Sequence, residues 1–200
     1  MTGVLVLLVG LVAAVAVTRW AVASAGDASG ASVVAVLGST AAAFNIVVPV
    51  ASIEATTTIV VCSALALGAR TACAVAIVAV MGSSMAGGFG AWTLWQIVAS
   101  VLVAILAANV PVAAPVSRTV LGLVAVVATV LYDVIVTAGG LASYVPVTGG
   151  TFANQLTAAL LIGALFTVVH AVFTSIFTIA VGPSLLHALG RARRRLQPAR

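Results

Sequence analysis

The sequence predicts an all-α, polytopic membrane helix bundle, and three observations carry that prediction. Hydrophobic residues make up 64% of the 200 positions and charged residues only 6%, against roughly 25% charged in a soluble domain. Mean hydropathy is +1.34, more apolar surface than one small domain can hide in its own interior. The apolar runs are also long, and they are broken at intervals by Gly, Pro or charge, the residues that end membrane helices. The length suits six or seven spans of about 20 residues each, with short loops and no soluble domain.

The first apolar run predicts a helix over 3–23. Its end, "AVASAG" (21–26), carries an A-x-A pattern like a signal-peptidase site, yet no basic residue precedes the run, as a secretory signal would require. Cleavage there would also invert the charge assignment made below. Residues 1–25 are therefore read as an extra, uncleaved transmembrane helix, and 26–190 as the main membrane domain. "SAGDASGA" (24–31) breaks the pattern before a helix over 31–46. "NIVVPVASIE" (45–54) then leads into a helix over 54–68, and "LGAR" (67–70) into one over 70–87. The stretch "GGFGAWTLWQ" (87–96) opens a helix over 94–110. "NVPVAAPVSR" (109–118) and "GGLASYVPVTGG" (139–150) bracket a helix over 117–138, and the last helix is expected over 152–182. Several spans are short and rich in alanine, which favours closely packed helices.

All eight basic residues are arginine, and five of them lie in the last ten residues. In a soluble protein a net charge of +5 would suggest nucleic acid. After a membrane helix, a basic tail over 191–200 reads as a topology anchor instead, and no nucleic-acid partner is expected. With "RARRR" (191–195) in the cytoplasm, counting back through the helices brings Arg118, Arg70 and Arg19 to the same side. The expectation is a multi-pass cell-membrane protein with its C-terminus inside and its N-terminus outside. Glu54 and the tryptophan loop then face outwards, with Asp133 near the outer half. Cys62 and Cys73 fall inside apolar runs without metal-ligand spacing, and are read as small core hydrophobes.

No GxxxxGK[ST], HExxH or GxSxG occurs, and Asp27, Glu54 and Asp133 lie on separate segments. Three scattered carboxylates are thin material for acid–base chemistry, so neither an enzyme nor a resident cofactor or metal is expected. Polar groups in a bilayer are costly and face the bundle interior or a water-filled cavity. Asp133, in "LYDVIV", is either a hydrogen-bond partner for a neighbouring helix or a ligand-facing carboxylate. His170, in "FTVVHAVFTSIF", has the same two readings. Asn45, Glu54, Asn154 and Gln155 fall at outer helix ends, where solvation competes with binding, and His187 lies at the interface before the tail.

Trp92 and Trp95 fit an interfacial aromatic belt. They also fit a clamp, because Gly87, Gly88 and Gly90 permit close backbone approach and Gln96 adds an amide. In the second helix Ala31, Ala35, Ser39 and Ala43 recur every four residues. That stripe either docks an external helix or reflects the abundance of alanine.

The segment "LALGARTACAVAIVAVMGSSMAGGFGAWTLWQIVASVLVAIL" (65–106) resembles the substrate-capture subunits, or S components, of energy-coupling factor (ECF) vitamin transporters. One branch of that family carries LGpr-G, a small-residue helix, then G-x-GPWTPWQM. Leu67, Gly68, Arg70, Gly88, Gly90, Trp92, Thr93, Trp95 and Gln96 match the pattern. Ala91 and Leu94 stand where it has proline, Ile97 where it has methionine, and Ala72 or Cys73 where glycine is usual. "LYDVIVTAGG" (131–140) and "HAVFTSIFTIAVGPSLLHALGRARRR" (170–195) are similar to the family's last two helices and tail, and the likeness covers about 30–195.

The resemblance implies a six-helix S-component core, here preceded by one extra helix, that binds a vitamin or related micronutrient from outside. Loops at about 45–54, 87–94 and 139–152 would cover the ligand. Gly90, Trp92, Trp95, Gln96, Asp133, His170, Asn45 and Asn154 are the site candidates. The family docks a small-residue stripe on a transmembrane coupling subunit, which Ala35, Ser39 and Ala43 match. Two cytoplasmic ATPases then drive uptake, in keeping with the missing P-loop. The runner-up from the residues is a structural or assembly membrane protein that touches only lipid and other helices.

Overall fold

The computed structural model describes residues 28–50, 52–111, 116–144 and 151–196. Among them are six α-helices and no strand: α1 (Ala28–Val47), α2 (Thr56–Leu67), α3 (Ala69–Gly87), α4 (Ala91–Ala108), α5 (Arg118–Tyr144) and α6 (Phe152–Leu196). The helix expected over 3–23, with Arg19 and Asp27, lies outside the described residues. Five helices, all but α2, are long and apolar enough to cross a membrane, so the chain is a multi-pass membrane protein.

The helix expected over 54–68 exists but is shorter. Its 12 residues rise about 18 Å at 1.5 Å each, well under the ~30 Å hydrocarbon core. It is a central strut: every residue from Thr56 to Ala64 is buried, and it packs on each of the other five helices. Small residues let the surrounding helices close around it. A Cβ at Gly38 would overlap Val78, and one at Gly82 would meet Ala42 at 2.8 Å, so α1 and α3 run side by side in parallel. Where α5 crosses α6, Gly122 lies under Ser175 and Ile179.

Side-chain pairings give the direction of each helix. Asp133 meets His170 and Gly122 meets Ile179, so α5 and α6 are antiparallel. Ser84 meets Thr93, and Trp95 meets Ser143, which makes α3, α4 and α5 antiparallel in turn. Arg193 donates to the Ala66 carbonyl at the end of α2 (3.3 Å). Arg70, Arg118 and Arg193 therefore share one end of the bundle, and Glu54 lies at the other.

Three expected boundaries move. α4 begins at Ala91 rather than 94, so Trp92, Trp95 and Gln96 sit on its first turns and not in a loop. The cause is local: Gly90 is the N-cap, its N–H donates to Thr93 Oγ1, and the Thr93 N–H donates back to the Gly90 carbonyl. α5 continues from 138 to Tyr144 through Gly139 and Gly140, because Trp95 packs on Gly139 and holds the extra turn. α6 runs 45 residues with Pro183 inside it, instead of ending at 182 before a separate tail over 191–200. Pro183 removes one backbone hydrogen bond, but Leu185, Leu186 and the buried Leu189 pack on the core beyond it and keep the helix going. Along the membrane stretch of α6, Leu161, Ile162, Leu165, Phe166 and Ile176 are exposed, an apolar face suited to lipid tails.

Candidate functional site

At the end of the bundle away from Arg70, Arg118 and Arg193, all six helices and loop residues Val48–Val50 and Ser52–Glu54 line a half-open cavity of ≈ 380 Å³. Its wall includes Asn45, Glu54, Gln96, Tyr132, Asp133 and His170. The loop enters α2 as a helix start with an acid just before it, where the dipole favours negative charge. The Thr57 N–H and hydroxyl both donate to Glu54 Oε1, at 3.2 Å and 2.5 Å. Ser52 on the same loop holds φ 67° without being glycine, a conformation that costs energy and persists only where surroundings impose it.

Glu54, His170 and Asp133 form one chain of contacts. His170 Nδ1 lies 3.0 Å from Asp133 Oδ1 and Nε2 lies 3.3 Å from Glu54 Oε1. An ionised carboxylate only accepts, so one placed at each ring nitrogen favours the doubly protonated imidazolium form of His170,. The His170 side chain is 6% exposed, Glu54 17% and Asp133 18%. Burial alone would raise the Glu54 carboxyl. Hydrogen bonding and charge from His170, with Thr57 and Thr56, more than offset that and hold it below the usual carboxylate range,. The carboxylates occupy opposite ring nitrogens, so the three groups do not converge as metal ligands do. Among the described residues no set of three His, Cys, Asp or Glu does.

Two further polar arrangements extend the site. Asn45 Nδ2 donates to Thr56 Oγ1 at 3.0 Å, while Asn45 Oδ1 is buried with no hydrogen-bond partner. Gln96 and Tyr132 line the cavity together, and the Tyr132 ring stands edge-on to His170 with centroids 5.9 Å apart. One helical turn further from the cavity, Thr129 and Thr174 are fully buried with unpaired hydroxyls. A turn beyond them on α6, Thr178 bonds Thr58 at 2.8 Å.

Of the eight sequence candidates, Asn45, Gln96, Asp133 and His170 line this cavity, brought together from α1, α4, α5 and α6. Trp92, Trp95, Gly90 and Asn154 lie elsewhere. Trp95 donates its ring N–H to Ser143 at 2.8 Å and stacks over Gly139. Trp92 folds over Gly90 and is 42% exposed. Both rings lock the start of α4, and only Gln96 of the motif reaches the cavity. Asn154 is exposed in the first turn of α6. Two more residues complete the site: Glu54, which the sequence left between solvation and binding and outside the site candidates, and Tyr132, which it did not single out. Glu54 was legible as an acid followed by "ATTT" (55–58), an N-terminal helix signal.

The candidate docking residues Ala35, Ser39 and Ala43 are all exposed, whereas Val34, Leu37, Ala41 and Ala42 on the other face of α1 are buried. Comparison with known proteins finds no family model, no curated protein and no solved structure that matches the chain.

Proposed function

We propose that the chain is the membrane-embedded substrate-binding subunit of an energy-coupling factor type importer, capturing a vitamin-like small molecule. One observation carries the proposal: the cavity that gathers Asn45, Gln96, Asp133 and His170 with Glu54 and Tyr132 at one end of an apolar bundle. Polar groups this costly in a bilayer are kept where they meet a ligand or pathway. The volume, ≈ 380 Å³, lies at the small end of the ligand-pocket range of about 300–1,000 Å³, which suits a molecule of one or two rings. The arginines at the opposite end would sit in the cytoplasm, so the cavity opens outwards. The exposed stripe of Ala35, Ser39 and Ala43 supports docking of a coupling subunit, and ATP hydrolysis belongs to partner ATPases, not to this chain.

The test is ligand extraction. Protein purified in detergent is denatured and its small molecules identified by mass spectrometry, alongside thermal stabilisation by a panel of vitamins. A bound micronutrient released from the wild type and missing from Asp133→Asn supports the proposal. No released molecule and no stabilising vitamin refute it, and favour a structural protein whose polar cluster serves only to hold its helices.

A further inference from the structure

Resting on the reading of this cavity as a ligand site, we infer that it selects a small cation bearing N–H donors, of the protonated amine or amidine class. The charge count comes first. Glu54 and Asp133 bring two carboxylates, His170 brings the single compensating cation, and no arginine lines the wall. With all three groups ionised the cluster carries one net negative charge, and a buried charge left without a partner is costly,.

The hydrogen-bond inventory agrees. The Thr57 and His170 bonds to Glu54 all fall on Oε1, and the His170 bond to Asp133 falls on Oδ1. The Asp133 Oδ2 oxygen takes no part in that bond and has acceptor capacity to offer,. Asn45 spends one of its two N–H donors on Thr56, and its Oδ1 is a buried acceptor with nothing to accept from,. What the wall lacks is positive charge beyond His170 and a donor for Asn45 Oδ1, and a ligand supplies what the wall lacks,. An anionic ligand would face two carboxylates across a few ångströms of low dielectric.

The experiment uses full-length protein in detergent and three probes of matched shape: benzamidine (cationic), benzamide (neutral) and benzoate (anionic). Thermal stabilisation is titrated for each. Benzamidine is expected to half-saturate at a concentration about tenfold or more below that of benzamide, and benzoate is expected to have no effect. In Glu54→Gln the preference should collapse from about tenfold to within about threefold, because the Glu54 charge is gone. If that variant does not fold, the wild-type comparison still decides. The molecule released on denaturation reads the same question independently: a cation supports the inference, and a neutral or anionic molecule overturns it. Equal stabilisation by benzamide or benzoate also overturns it while leaving the cavity a ligand site. Silence of every probe, with no released molecule, overturns the inference and the ligand-site reading together.

Discussion

Replacing His170 with alanine removes the cation that two buried carboxylates share. Breaking a buried pair in this way costs about 3–5 kcal/mol, because a charge is left uncompensated. The protein has one escape, which is for Glu54 to take up a proton. That costs about 1.4 kcal/mol for each pH unit above an ordinary value near about 4.3. The escape is therefore worth about 4.4 kcal/mol at about pH 7.5 and only about 1.6 kcal/mol at about pH 5.5.

The cheaper route sets the penalty, so His170→Ala should lose about 4 kcal/mol at the higher pH and recover about 2–3 kcal/mol of it on acidification. The wild-type Glu54 behaves in the opposite sense. Its folded carboxyl is held below the ordinary value, so its contribution is complete above that value and lost only as pH falls through the folded one. Between about pH 7.5 and 5.5 it stays in place. Cys62 and Cys73 are free and buried, so a thiol-reactive fluorophore reports unfolding during a temperature ramp. At about 2–4 °C per kcal/mol for a chain of this size, the variant should melt about 8–16 °C below wild type at about pH 7.5 and gain stability in acid. A variant that melts within about 2 °C of wild type, or loses stability on acidification, refutes the charge-sharing geometry.

Trp95→Phe deletes the N–H that Ser143 accepts; it should cost about 1 kcal/mol in thermal stability while leaving ligand affinity within about twofold. Gln96→Ala should do the reverse, and equal effects of the two on affinity would return Trp95 to the binding site. Gly139→Val forces the Trp95 indole off α5 and should shift tryptophan fluorescence as well as lower the melting temperature. Thr58→Val strands the buried Thr178 hydroxyl and should cost about 1–2 kcal/mol, whereas Thr58→Val with Thr178→Val should recover part of that loss, as measured by the same thiol assay. Ser39→Leu on the exposed face of α1 should leave melting within about 0.5 kcal/mol of wild type and abolish co-purification with a coexpressed coupling subunit; unchanged co-purification would remove that face from the docking surface.

Much of the fold was legible because bilayer helices announce themselves by composition. The helices expected over 31–46 and 70–87 match α1 and α3 within a few residues. The start of α4 was missed because a local cap at Gly90 sets it, and the late ends of α5 and α6 have another cause. Gly139, Gly140 and Pro183 are breakers when read locally, but Trp95 packing on α5 and Leu189 packing beyond Pro183 outweigh the local cost. Propensity is a small term, and burial overrides it.

The candidate site divides along the same line. Asn45, Gln96, Asp133 and His170 could be singled out because each is a polar group in an apolar run. Trp92 and Trp95 drew attention by size and spacing. Which way a ring turns at a helix start, however, depends on the glycine opposite it, 44 residues away for Trp95 (Gly139).

The sequence by itself determined that this chain is a bundle of membrane helices and pointed to one end for Arg70, Arg118 and Arg193, since hydropathy and charge act one segment at a time,. It also marked the polar residues too costly to leave in lipid. Only the tertiary structure decided that Glu54, Asp133 and His170 meet, that α2 is a buried strut and not a span, and that the tryptophans brace the helix while Gln96 faces the cavity. Those outcomes depend on register between helices distant in sequence. Register is set by the summed fit of small residues such as Gly38, Gly82 and Gly122 against their neighbours, which no single segment encodes.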